Sequence, residues 1–221
     1  MILRGRGEKQ HDCRAEIPVL FDAMDRNIRS TGDFPLLQLY TIGHSTHPIE
    51  HFLGLLTQHG IKVVADIRRF PSSRKFPQFN QVELTNHLRN VGLEYQWIEA
   101  LGGRRPHQSV GPDLSKNLGL RNASFRNYAD YMATQEFRDG VECLLKVATG
   151  KRTAYMCSES LFWRCHRRLV SDYLLMQGFA VRHIMPNGEL RDHTLTVGAK
   201  IVAGELTYPS GDAKQTEFTF D

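Results

Sequence analysis

Apolar positions along this chain fall into short strand-like runs that alternate with amphipathic helical stripes. Leu36 to Ile42 is an apolar run rich in strand formers and halted by Gly43-His44-Ser45, so it reads as a first strand. Pro48 suits the first turn of a helix, Glu50 adds negative charge there, and Phe52, Leu53, Leu55 and Leu56 form a stripe ending at Gly60. Ile61 to Ile67 reads as a second strand. Asn80-x-x-Glu83 has the form of a capping box and opens a helix carrying Leu84, Leu88 and Val91, up to Gly92. Leu93, Tyr95 and Trp97 alternate with Glu94 and Gln96 as a third strand.

Gly102-Gly103 then begins a long polar loop reaching about Ala123, of the kind that often carries function. Helices follow near Ser124 to Ala133 and Thr134 to Thr149, the second with Phe137, Val141, Leu144 and Leu145 on one face and Gly150 beyond its end. Thr153 to Met156 is a fourth strand, Leu169 to Leu174 marks a helix stopped by Gly178, and Ala180 to Ile184 is a fifth strand. Such alternation implies an α/β fold with a mostly parallel five-stranded sheet and helices on both faces, a three-layer arrangement of Rossmann-like or flavodoxin-like kind. Residues 1–35 read as a partly disordered extension with one loosely docked helix near Ile17 to Ile28, residues 36–185 as the α/β domain, and residues 186–221 as an irregular tail.

Composition alters this picture little. A chain of 221 residues with 41% hydrophobic and 24% charged positions suits one globular domain, and its formal charge of +4 favours anionic partners without establishing nucleic-acid binding. No run of about 18 apolar residues is present, so no membrane partner is expected. The four cysteines, with no secretory signal, read as reduced thiols and place the protein in the cytoplasm. Neither a Gly-x-Gly-x-x-Gly after the first strand nor a Walker-type Gly-Lys-Ser occurs, which argues against dinucleotide and P-loop sites.

Candidate chemistry lies at the strand ends. Parallel strands present their carboxyl ends at one edge, and those ends carry Gly43-His44-Ser45, Asp66-x-Arg68, Leu101-Gly102-Gly103, Cys157-x-Glu159 and His183. Glycines let backbone approach a ligand, arginines clamp anionic oxygens, and Glu, His and Cys move protons or attack carbon or phosphorus. Catalysis is therefore assigned to Glu159, with Cys157 and His44. Ligand contacts are assigned to Gly43, Ser45, Asp66, Arg68, Arg74, Gly102, Gly103, Cys165, His166 and Arg167, with Asp66 orienting Arg68 or capping its turn. The segment from Asp66 to Phe79 interleaves cations with aromatics, the inventory for holding phosphate while stacking on a base. Arg164 follows Cys157 by seven residues, not the six of a phosphatase loop. The spacing Cys157-x7-Cys165-His166 lacks the short pairing of structural zinc sites, so no cofactor is expected and a metal is the lesser alternative.

Several blocks carry a resemblance: Thr41-Ile42-Gly43-His44-Ser45, Asp66-Ile67-Arg68-x-x-Pro71-x-Ser73-Arg74, Phe76-Pro77-x-Phe79-Asn80, Leu101-Gly102-Gly103, and Cys157-x-Glu159 with Cys165-His166-Arg167. In their order and identity they resemble the domain-of-unknown-function 488 family, from about Tyr40 to Ile184. That resemblance implies a compact bacterial-type α/β domain and implies no particular reaction. The expectation from the residues is an enzyme, a hydrolase or transferase, acting on a phosphate-bearing substrate such as a nucleotide or nucleic-acid base. The alternatives are a non-catalytic nucleic-acid-binding module and a thiol- or metal-dependent protein. Its partner would be an anionic small molecule or a nucleic acid; the sequence leaves strand order and oligomeric state open.

Overall fold

The computed structural model describes residues 37–105 and 115–211. Residues from Leu36 onward form a unit of their own. The expected N-terminal extension and the middle of the polar loop after Gly103 lie outside the described residues.

Strand β1 (Gln38–Gly43) leads into helix α1 (Ile49–Gln58), β2 (Val63–Asp66), α2 (Gln81–Asn90) and β3 (Glu94–Trp97). Helices α3 (Ala123–Tyr131) and α4 (Gln135–Ala148) precede β4 (Thr153–Cys157), α5 (Arg167–Met176) and β5 (Ala180–Ile184). The sheet has six strands in the order β3-β2-β4-β1-β5-β6. Its first five are parallel and the sixth, β6 (Leu190–Asp192), runs antiparallel to β5. The expected count of five strands is thus one short. Within the tail expected to be irregular, residues 186–211 hold β6 and a hairpin of β7 (Lys200–Val202) and β8 (Glu205–Thr207). Three-residue strands give too few alternations to register as a period.

Burial explains the strand patterns. In β2 and β4 every residue is buried, as parallel strands covered on both faces must be, whereas the edge strand β3 is half-exposed. One face packs Tyr40, Ile42, Val64, Ala154 and Met156 against Phe52, Leu55 and Leu56 of α1 and Leu84 and Leu88 of α2. On the other face the Tyr155 hydroxyl meets Ser171 of α5 at 2.6 Å. Helix α4 begins with the Thr134 hydroxyl accepting from the Phe137 N–H, and α3 with Asn122 accepting from the Ser124 N–H.

Asn80 does not cap α2 as the sequence pattern suggests. Its Oδ1 accepts instead from the Ser73 N–H at 2.6 Å, tying the loop after β2 to the helix start. Among the described residues Cys157 and Cys165 are free thiols, as the sequence reading expects of them.

Strand order creates the site. The crossovers from β1 and β2 run towards the β3 edge with helices on one face; that from β4 runs the other way, placing α5 on the opposite face. β4 lies between β2 and β1, so chain leaves these neighbours in opposite directions and a crevice opens at their carboxyl ends.

Candidate functional site

At this crevice Gly43 is in register with Cys157, and Asp66 with Met156. The pairing of β1 and β4 runs on into their loops: the His44 N–H donates to the Cys157 carbonyl and the Ser45 N–H to the Ser158 carbonyl. Gly43 is required here, because a Cβ on it would lie 1.9 Å from the Glu159 carbonyl oxygen. Ser45 turns the chain with a left-handed φ of 46°, a conformation that non-glycine residues adopt where surrounding structure imposes it.

A cleft of about 510 Å³ opens above these strand ends. Of the residues expected at the site, His44, Ser45, Arg68, Gly103, Cys157, Glu159 and His166 line it. Asp66, Cys165 and Arg167 stand behind it, buried. Gly102 packs against the backbone of Arg69, where a Cβ would come within 2.7 Å of the Arg69 Cα. Arg74 is exposed and outside the lining, because the loop turns it to solvent. Arg69, Phe70, Ser72, Arg104, Ser158 and Ser160 also line the cleft. Serines carry no strong sequence signal, and only the cation–aromatic interleaving pointed to Arg69 and Phe70.

Arg68 is the best-anchored cation. Its Nε donates to both Asp66 carboxylate oxygens at 2.9 and 3.0 Å, and its Nη2 to Oδ2 at 2.5 Å. Burial opposes the charge, but Asp66 outweighs it and raises the Arg68 pKa. The Tyr95 hydroxyl, at 2.8 Å, and the Arg68 N–H complete the donors to this carboxylate. Asp66 therefore orients Arg68 and does not reach the cleft.

His44 is held by its neighbours on both nitrogens. Nδ1 lies 3.0 Å from the Ser45 carbonyl, which can only accept, so Nδ1 carries the proton and Nε2 accepts from Arg68 Nη1 at 3.2 Å. Burial first, then the Arg68 charge, lowers its pKa to about 3. The ring stacks on Phe79 at 4.2 Å.

Arg167 is 1% exposed and donates from Nη2 to the Glu159 and Ser160 carbonyls at 2.5 and 3.1 Å, and from Nη1 to the Thr41 hydroxyl. Its guanidinium thus braces the loop after β4 from behind. Within that loop a Glu159 carboxylate oxygen accepts from the Leu161 N–H at 3.2 Å.

Two thiols and an imidazole meet at the cleft floor. His166 Nε2 lies 3.1 Å from the Ile67 carbonyl, so Nε2 carries the proton and Nδ1 offers its lone pair. Cys165 Sγ is 3.5 Å and Cys157 Sγ 3.9 Å from that Nδ1. Hydrogen bonding with Cys165, then burial, pushes the Cys157 thiol up to about 12. Burial resists ionisation of Cys165 as well, yet the hydrogen bond from Cys157 and the Arg167 charge bring it down to about 6. The Arg167 N–H donates to the sulfur of Cys165 at 3.5 Å. Tyr128 packs against the His166 ring and donates to the Leu101 carbonyl, fixing the turn that precedes Gly102-Gly103.

His183 does not join the cleft. It lies under Phe162, stacked at 3.5 Å, and links Thr41 to His193 and thence to Asp172.

These features define a class: a doubly wound α/β domain whose polar side chains converge where neighbouring strands diverge. Within it, the chain belongs to the family described as Domain of unknown function DUF488, whose model matches residues 48–174, more than half of the chain. That span includes the Asp66 and Cys157 segments; the Gly43-His44-Ser45 segment and β5 fall outside it. No curated protein and no solved structure matches the chain.

Proposed function

We propose that this protein is an enzyme acting on a phosphate-bearing substrate, a nucleotide or nucleic-acid base, bound in the cleft. The observation that carries the reading is the lining itself, in which Arg68, Arg69 and Arg104 share a wall with six hydroxyl side chains and one carboxylate, Glu159. Guanidinium forks and hydroxyls are the donors that phosphate oxygens require. Three of the five N–H groups of Arg68 are engaged by Asp66 and His44, which leaves two for a ligand. Phe70, 62% exposed, and Phe76 supply apolar faces on which a base stacks. Glu159 is the group for proton transfer. His44, with its lone pair committed to Arg68, positions that arginine in place of shuttling protons.

Thermal-shift and turnover measurements test this. Inorganic phosphate and nucleoside monophosphates should raise the melting temperature, and Arg104→Ala should weaken them about tenfold, as loss of one charge-assisted hydrogen bond does. With a turned-over nucleotide in hand, Glu159→Gln should keep affinity and lose roughly a hundredfold or more in rate, since Gln preserves the acceptor for Leu161 N–H. A protein that ignores every small phosphate yet takes up DNA or RNA, with affinity falling steeply in salt and indifferent to Glu159→Gln, is a binding module, and the enzyme reading is then wrong.

A further inference from the structure

The sequence spacing of Cys157, Cys165 and His166 spoke against a metal, because ligands on one loop come in short pairs. The fold removes that objection. A 3₁₀ turn at Phe162–Arg164 brings the chain back, and the three donor atoms lie within 4.8 Å of one another. We propose that Cys157, Cys165 and His166 form a three-ligand site for zinc or a similar thiolate-binding divalent ion, with its fourth position open to the cleft.

Four observations argue for it. A tetrahedral zinc with Zn–S near 2.3 Å and Zn–N near 2.0–2.1 Å has S···N edges of about 3.5 Å. The two S···N separations here are 3.5 and 3.9 Å, and the third edge, between the sulfurs, is bounded by 4.8 Å against about 3.8 Å for two thiolates on tetrahedral zinc, so a metal fits with side-chain shifts of no more than about an ångström. The imidazole is already in the tautomer that a metal needs: Nε2–H donates to the Ile67 carbonyl, the partner ligating histidines habitually keep, and Nδ1 is unprotonated and faces both sulfurs. Gly103 keeps the donor edge clear. A Cβ there would sit 2.2 Å from Nδ1, against the ligand atom itself. Finally, Cys157 and His166 line the cleft while Cys165 lies behind them, so the one unfilled position faces the side where substrate enters. Three protein ligands with a vacant fourth is the arrangement of catalytic rather than structural zinc. That last step, a water or phosphate oxygen completing the shell, rests on the reading of the cleft given above; the three-ligand site does not.

The test uses the full chain with both thiols shown reduced by titration. Chelator-treated protein is loaded with Co(II) and then competed with Zn(II). The expected result is one equivalent per chain with an intense sulfur-to-cobalt charge-transfer band, displaced by zinc. Cys165→Ser and His166→Ala should each weaken binding by more than the roughly 10–100-fold that losing a ligand's hydrogen-bond partner costs, and Cys143→Ser should leave it unchanged. Reduced wild-type protein that gives no such band overturns the proposal, and so does full affinity in Cys165→Ser or His166→Ala. Phosphate binding is measured in parallel on the chelated and on the metal-loaded protein. Its absence from both beside a normal cobalt spectrum would sink the reading of the cleft and leave the metal site standing.

Discussion

His44 and His183 illustrate how little a side chain's identity says about its role until its partners are known. Both sit at strand ends, though the sequence assigns catalysis only to His44; burial holds each in the neutral form, with Arg68 the next cause for His44 and His193 for His183, down to about 3 and about 2. The consequence is thermodynamic. In the unfolded chain each takes up a proton near its ordinary 6.5, so below that pH the unfolded state binds protons that the folded state refuses. Stability is therefore complete above pH 6.5 and is lost as pH falls from there towards about 3, with a slope of up to about 1.4 kcal/mol per pH unit for each histidine. Urea unfolding followed from about pH 7.5 to about pH 5 should show the midpoint falling, and His44→Asn should remove about half of the two-histidine slope. A midpoint equal at both ends would contradict the burial described here. The sequence named His44 as a catalytic residue, and it lines the cleft; its tautomer and its tie to Arg68 depend on a carbonyl one residue away and a guanidinium from the loop after β2.

Helix α2 shows the same limit one level up. Asn80-x-x-Glu83 is a sound local pattern for a helix start, and the helix is there, but the asparagine side chain turns outward to hold Ser73. Local sequence fixes that a helix begins; which backbone N–H the side chain chooses depends on a loop anchored elsewhere, here by Gln81 N–H on the Pro71 carbonyl and Ser73 Oγ on the Phe76 N–H. Asn80→Ala should cost about 1 kcal/mol in stability and weaken phosphate binding several-fold by loosening the Arg68–Phe76 segment. Asn80→Ser separates the two roles. Serine caps helices well but is too short to hold the loop, so affinity should stay low; recovery of affinity would show that capping was the role after all. Helices α1, α4 and α5, by contrast, follow their apolar stripes within a residue or two, since packing a stripe onto a sheet leaves little choice.

For the molecule as a whole, the C-terminal residues lock the fold behind the site. Tyr208 is 2% exposed, and its hydroxyl donates to Asp172 on α5 at 2.8 Å, beside donors from His193 and Thr196 on the same carboxylate. Its backbone pairs with Asn117 and Gly119 ahead of α3. Tyr208→Phe should lower unfolding stability by about 1–3 kcal/mol, the cost of a buried acceptor deprived of a donor, and leave phosphate affinity unchanged. Loss of affinity in a fully folded variant would mean that α5 communicates with the cleft. Among the described residues no helix is long and apolar enough to cross a membrane.

Sequence alone determined the alternation of strands and helices, the parallel sense of the main sheet and the segments that gather at its edge, because these follow from period, propensity and the geometry of crossovers. It could not determine the strand order that seats β4 between β2 and β1, and with it the crevice, since pairing energy is nearly indifferent to which buried apolar strand lies next to which. Nor could it show that two cysteines and a histidine share one point in space, or which arginines face solvent. Those outcomes depend on long-range packing, where Gly43, Gly103 and Arg167 decide by a few ångströms what meets what.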